Sequence, residues 1–334
     1  MDYRSDSPQI LRDFLIYHET IKGHSSATVE EYFLDMRMFF RYLKVHRGLV
    51  PLETSFDDIS ISDVDLDFVA SVSIAEVYAF LGYLSRDREN PSRGRGKSRG
   101  LSATTRARKI AAIRSFYKYL TVKAKLIDTN PVQDLDSPKV PRSLPRYLSL
   151  EESQRLLSAV GGKNRERDYC IICLFLNCGL RISEIVGLDV FDIHTDHIRI
   201  VGKGSKERIV YLNDACVEAI NNYLNVRKGI AAVDKNALFL SNRRTRISRE
   251  SVHKMVKKTL LKAGLDSSKY SAHKLRHTAA TLMLKNGVDV RTLQEVLGHD
   301  HLNTTQIYTH VDNSELRIAA AANPLGKYSP KKNK

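Results

Sequence analysis

The chain has 334 residues, enough for two domains that each bury a core. Its 53 Lys and Arg against 38 Asp and Glu leave a net charge of +15, which points to a polyanionic partner such as nucleic acid. No stretch approaches the ~20 apolar residues that span a bilayer, and the opening MDYRSDSPQ has mixed charge and no apolar run before Ile10. Neither a membrane span nor a secretory signal is expected, and the cytoplasm is the expected compartment.

The first part of the chain has the apolar spacing of four helices. Ile10, Leu11, Phe14, Leu15 and His18 mark the first, and Phe33, Met36, Phe39, Phe40 and Leu43 the second. Thr28 with Glu31, and Ser73 with Glu76, have the spacing of capping boxes that open the second and third helices. The fourth runs from about Ala103 to Leu120 and carries Arg106, Arg108, Lys109, Arg114 and Lys118, with no acidic residue between Leu101 and Leu126. Helical charges usually form a solvated face, but an unbalanced basic helix is better explained by contacts to DNA phosphates. Before it, DRENPSRGRGKSRG (87–100) cannot form a core and reads as a loop that adds non-specific phosphate affinity.

Pro138, Pro141 and Pro145 block regular structure across residues 137–148, which therefore read as a linker. The expected division is a helical DNA-binding domain over 1–136, a second domain over 149–325 and a basic tail over 326–334. In the second domain Ser149 and Glu152 cap a helix, and the apolar run from Tyr169 to Leu180 is a buried one. His197 to Val201 and Arg208 to Leu212 flank a Gly-Lys-Gly-Ser-Lys turn and form a small antiparallel sheet; helices return from Ala215, with stops at Asn286-Gly287 and Gly298. The fold class is mainly α with one small antiparallel sheet.

Cys170 and Cys173 form a C-x-x-C, yet they sit in the apolar run without a second ligand pair, so they read as buried apolar residues rather than a zinc site. GKGSK lacks phosphate-loop spacing, so ATP is not implied, and His273 and His277 lack the glutamate of H-E-x-x-H, leaving His277 a packing or hydrogen-bonding role.

Four boxes carry chemistry: GLRISEIVGL (179–188), VGKGSKERIV (201–210), HKLRHTAATLML (273–284) and LGHDHLNTTQIYTH (297–310). A phosphoryl centre under displacement spreads negative charge over its non-bridging oxygens, and arginine forks match that geometry better than a point-charge lysine. Two arginines, two histidines and a late tyrosine suffice to attack a phosphodiester without a metal. Arg181 could instead merely pair with Glu184 three residues on. His273 and Arg276, three apart near a helix start, project on one side.

In the order and spacing of these boxes the chain resembles the tyrosine recombinases, and among them the compact bacterial Xer type, from about residue 10 to about residue 320. The resemblance implies a helical core-binding domain followed by a recombinase catalytic domain. It implies that Arg181 and Arg276 clamp the scissile phosphate, with His273 and His299 beside it. Tyr308 would be the nucleophile that leaves a 3′-phosphotyrosine, and Lys203 the acid that protonates the departing 5′ oxygen. Lys206 and Arg208 would contact DNA and help lower the Lys203 pKa. No cofactor, metal or ATP is implied; the partners are a double-stranded recombination site and a synaptic homo- or hetero-tetramer, with a second recombinase as one option. The implied task is chromosome dimer resolution at cell division or integration and excision of a mobile element. Type IB topoisomerase-like relaxation and a non-catalytic DNA-binding regulator on the same fold are the alternatives. The segment Asn313 to Leu325 reads as a short helix that docks its apolar side on a catalytic domain, which the resemblance implies is that of a neighbouring protomer.

Overall fold

The computed structural model describes residues 7–51, 53–88, 100–138, 146–201, 207–298, 318 and 321–327. The chain divides into two compact units, Met1–Ser143 and Leu144–Lys334. Most of the 87–100 loop, the middle of the 137–148 linker, the hairpin turn 202–206, Asn313–Arg317 and most of the basic tail lie outside the described residues.

The first unit contains α1 (Gln9–Ile16), α2 (Ser26–His46), a short α3 (Leu66–Ala70), α4 (Ile74–Arg86) and α5 (Ala103–Lys118). α2 packs against α1, α4 and α5. The apolar positions that mark these helices in sequence meet in one core rich in aromatic rings, among them Phe14, Phe39, Phe40, Phe80 and Phe116. Phe14 meets Phe116 edge to face at 5.3 Å, and buried Tyr117 keeps its hydroxyl satisfied by donating to the Val69 carbonyl at 3.0 Å. Ser73 and Glu76 form the expected capping box on α4. Thr28 does not cap α2: the helix starts three residues earlier than such a cap implies, at Ser26, with Ser25 at the cap position and its hydroxyl 3.0 Å from that of Thr28. Glu31 pairs instead with Arg108 of α5.

The second unit contains α6 (Leu150–Ser158), α7 (Arg165–Asn177), α8 (Ile182–Gly187), β1 (His197–Val201), β2 (Glu207–Tyr211), α9 (Asp214–Lys228), α10 (Arg249–Lys262), α11 (Ala272–Lys285) and α12 (Val290–Leu297). α7 is buried on every side from Cys170 to Asn177 because α6, α9 and α11 pack around it. Its four-cysteine neighbourhood is reduced: Cys170, Cys173, Cys178 and Cys216 are all free and buried. β1 and β2 pair antiparallel, with His197 opposite Tyr211 and Val201 opposite Glu207, so the second strand begins one residue earlier than its alternation suggests. No helix among the described residues is long and apolar enough to cross a membrane.

The helix expected within Asn313–Leu325 lies mostly outside the described residues, which here are 318 and 321–327. Leu325 is fully buried in the core of its own unit, and the Asn323 amide donates to the carbonyl of Leu176 at 2.9 Å. Asn323 and Leu325 thus pack within their own unit beside α7.

Candidate active site

The end of α7, the start of α8, β2, the first turns of α11 and the end of α12 bring the described site residues together. α8 opens with Arg181 at the cap position, where Ser, Thr, Asp or Asn is usual. Glu184 compensates by accepting from the Arg181 backbone N–H at 2.7 Å, which leaves the arginine side chain without a capping task. The expected i+3 pair is also present, Arg181 Nη1 donating to Glu184 Oε1 at 2.9 Å.

Arg276 reaches back from α11. Its Nη1 donates to the Gly179 carbonyl at 2.5 Å and its Nη2 to the Leu297 carbonyl at 2.7 Å. Arg181 Nη2 donates to the next carbonyl along, that of Gly298, at 2.7 Å. Both arginines are therefore held by backbone oxygens at two turns, Gly179 before α8 and Leu297-Gly298 after α12. Those turns need glycine: both have φ near +60°, and a Cβ on Gly179 would lie 2.6 Å from Leu297 Cδ2. A small cluster of Met283, Val288, Leu293, Val296 and Leu297 fastens α12 to α11 and so sets where the second turn lies.

Glu184 is the shared counter-ion. It also accepts from Arg208 Nη1 and Nη2 at 2.9 and 3.0 Å and lies 3.9 Å from Arg276 Nη1. Burial alone would raise its pKa, but the hydrogen bonds and charge of Arg208, and then Arg181, outweigh that and hold it below the usual carboxylate range. Arg276 is drawn down to about 10, first by burial and then by the charge of Arg181, and so stays protonated at neutral pH. Three guanidiniums around one carboxylate leave a surplus of two positive charges. Arg181 is the more open of the two arginines, its side chain 41% exposed against 7% for Arg276. An anion at this cluster would meet one exposed guanidinium and one held in place by backbone oxygens.

His273 is exposed in the first turn of α11, one turn before Arg276. His277 is half-buried and meets Tyr147 edge to face, 6.5 Å between centroids, and its Nε2 is buried with no hydrogen-bond partner among the described residues. Burial, then the charges of Lys274 and His273, lower its pKa. Lys203, Lys206, His299 and Tyr308 lie outside the described residues.

The basic helix α5 divides in a way its sequence does not reveal. Lys109 is buried and donates to Asp35 of α2 at 2.7 Å, while Arg108 pairs with Glu31 and, at 2.9 Å, with Asp35. The helix lacks acids of its own because α2 supplies them, so Lys109 is withdrawn from the DNA-contact set and Arg108 is partly engaged. Arg114 and Lys118 remain exposed, and Arg106 is half-buried. Sequence reading passes over α10, whose 14 residues include five Lys or Arg and one Glu. Arg249, Lys254, Lys257, Lys258 and Lys262 are all exposed there, and the charge imbalance that singles out α5 is the signal that would find them.

A phage integrase family model matches residues 146–315, and a phage integrase N-terminal SAM-like domain matches residues 11–124. Over 321 residues the chain is 51% identical to the tyrosine recombinase XerC of Caldanaerobacter subterraneus subsp. tengcongensis, covering 96% of this chain and 88% of that one. Tyrosine recombinase XerD of Halalkalibacterium halodurans is 31% identical over 313 residues, 92% of this chain and 94% of its own. Among solved structures, a XerH site-specific recombinase in a post-cleavage complex on a palindromic difH substrate aligns with TM-score 0.59 and 25% identity. The alignment covers 88% of this chain and 79% of that one.

Proposed function

The chain belongs to the phage integrase family and is a site-specific tyrosine recombinase of the Xer type; from that premise we propose that Arg181 and Arg276 clamp the scissile phosphate while Tyr308 attacks it. The observation that carries this reading is the meeting of the two forks at Glu184 and at adjacent turns, with Arg276 bonded to Gly179, 97 residues earlier in the chain. Tyr308 gives its phenolic proton to His273 as it attacks; the bond to the 5′ oxygen breaks, a 3′-phosphotyrosine forms, and Lys203 gives a proton to the departing oxygen. The new ester keeps the energy of the old one, so the 5′ hydroxyl of a partner strand reverses the step and completes exchange. His299 hydrogen-bonds the phosphate oxygens.

In the first unit the DNA-contacting residues are Arg114 and Lys118 of α5, with Arg106; in the second unit Lys206 contacts DNA. The exposed basic row of α10 adds to the contacts of the second unit. The enzyme works in the cytoplasm on a double-stranded recombination site within a tetramer, and its biological task is chromosome dimer resolution. The XerC and XerD names among its relatives support a second recombinase as partner.

A nicked suicide substrate, which traps the covalent intermediate, tests the reading. Wild-type protein is expected to form an adduct with or without a chelator, and Tyr308→Phe to bind the same DNA without forming one. An adduct at wild-type level from Tyr308→Phe, or a strict need for a divalent metal, overturns it.

A further inference from the structure

Arg208 is expected from sequence to contact DNA, but its surroundings describe a different task. Both of its terminal nitrogens face the carboxylate of Glu184, at 2.9 and 3.0 Å, in the two-bond geometry that most favours an arginine–carboxylate pair. The Arg208 side chain is 17% exposed and that of Glu184 only 4%. Its remaining donor, Nε, is buried and has no hydrogen-bond partner among the described residues. The guanidinium also lies against Gly298, where an added Cβ would come within 3.0 Å of Cζ, Nε and Nη1. Gly298 is the residue whose carbonyl accepts from Arg181. Arg208 therefore touches both groups that hold Arg181, the acid and the turn.

The charge balance gives this arrangement a consequence. A buried carboxylate 2.9 Å from Arg181 and 3.9 Å from Arg276 would, left to itself, engage both clamp arginines and weaken their hold on a phosphate. We infer that Arg208 is a positioning residue that neutralises Glu184 and so keeps the charge of Arg181 and Arg276 available to the scissile phosphate. It acts through Glu184 and makes no phosphate contact itself. The inference rests on the reading of Arg181 and Arg276 as the clamp.

The test is a mutant cycle in the full-length protein, read by single-turnover adduct formation on a nicked half-site and by half-site affinity against salt. Arg181→Ala is the control for the clamp: if it cleaves like wild type, the clamp reading itself has failed. With that control met, Arg208→Ala is expected to slow adduct formation roughly 10²-fold with the salt slope unchanged. Adding Glu184→Gln to Arg208→Ala should restore about tenfold of that loss, because the unbalanced charge is gone. Should Arg208→Ala fail to fold, Glu184→Gln alone is compared with the double variant, which contains no unpaired buried charge. With nothing left to neutralise, removal of Arg208 should then change the rate by less than about threefold. A salt slope lower by ~0.9 on removal of Arg208 would identify a phosphate contact and overturn the proposal, as would a double variant no faster than Arg208→Ala.

Discussion

Lys109 donates to Asp35 across 2.7 Å with both side chains almost sealed from water, 5% and 1% exposed. Burial raises the Asp35 pKa in spite of the attraction of Lys109 and Arg108, so the pair only offsets a desolvation penalty. Removing one partner alone should therefore be costly. Lys109→Met is expected to destabilise the N-terminal unit by about 3–5 kcal/mol in urea unfolding, and adding Asp35→Leu to recover much of that loss. Its DNA-binding salt slope should match wild type, whereas Arg114→Ala and Lys118→Ala should each flatten the slope by ~0.9 for the phosphate no longer neutralised. A flattened slope for a folded Lys109→Met protein would return Lys109 to the DNA surface.

His18 sits in the turn after α1, with Nδ1 3.2 Å from His24 Nδ1 and Nε2 3.2 Å from the Ser115 hydroxyl. Burial, then the charges of His24 and Lys22, lower its pKa from 6.5 to about 4. Between those values the unfolded chain binds a proton that the folded chain refuses, so stability rises with pH across the window. The N-terminal unit should hold its full share above pH 6.5 and lose stability as pH falls towards 4. In His18→Gln that part of the slope should vanish; identical pH profiles for the two proteins would show that His18 does not titrate this way.

Leu325 fills a fully buried position beside α7 and α9. Leu325→Ala is expected to destabilise the catalytic unit by ~2–5 kcal/mol. A melting temperature equal to wild type would mean that this segment does not rest on its own subunit in solution.

Lys203→Ala should slow cleavage by roughly 10²–10⁴-fold if this lysine is the general acid. A substrate whose 5′ leaving atom is sulfur should recover most of that loss, since a thiolate departs without a proton. Equal impairment on both substrates would assign proton donation elsewhere.

Local signals are legible in the amino-acid string. Capping boxes at Ser73 and Ser149, the buried run of α7 and the glycine stop at Gly298 depend on residues within a few positions of one another, and backbone hydrogen bonding decides them. The order of the four boxes places the chain among recombinases for a related reason, since a motif is itself a local string. Charge environment is different in kind. Whether Lys109 faces water or Asp35, whether Arg208 faces a phosphate or Glu184, and whether the segment around Asn323 and Leu325 rests on its own core depend on residues 24 to 147 positions away. Burial and Coulomb interaction act through space, so the sequence determined which charged groups exist and on which helix they stand, and only the tertiary structure decided which of them remain available to DNA.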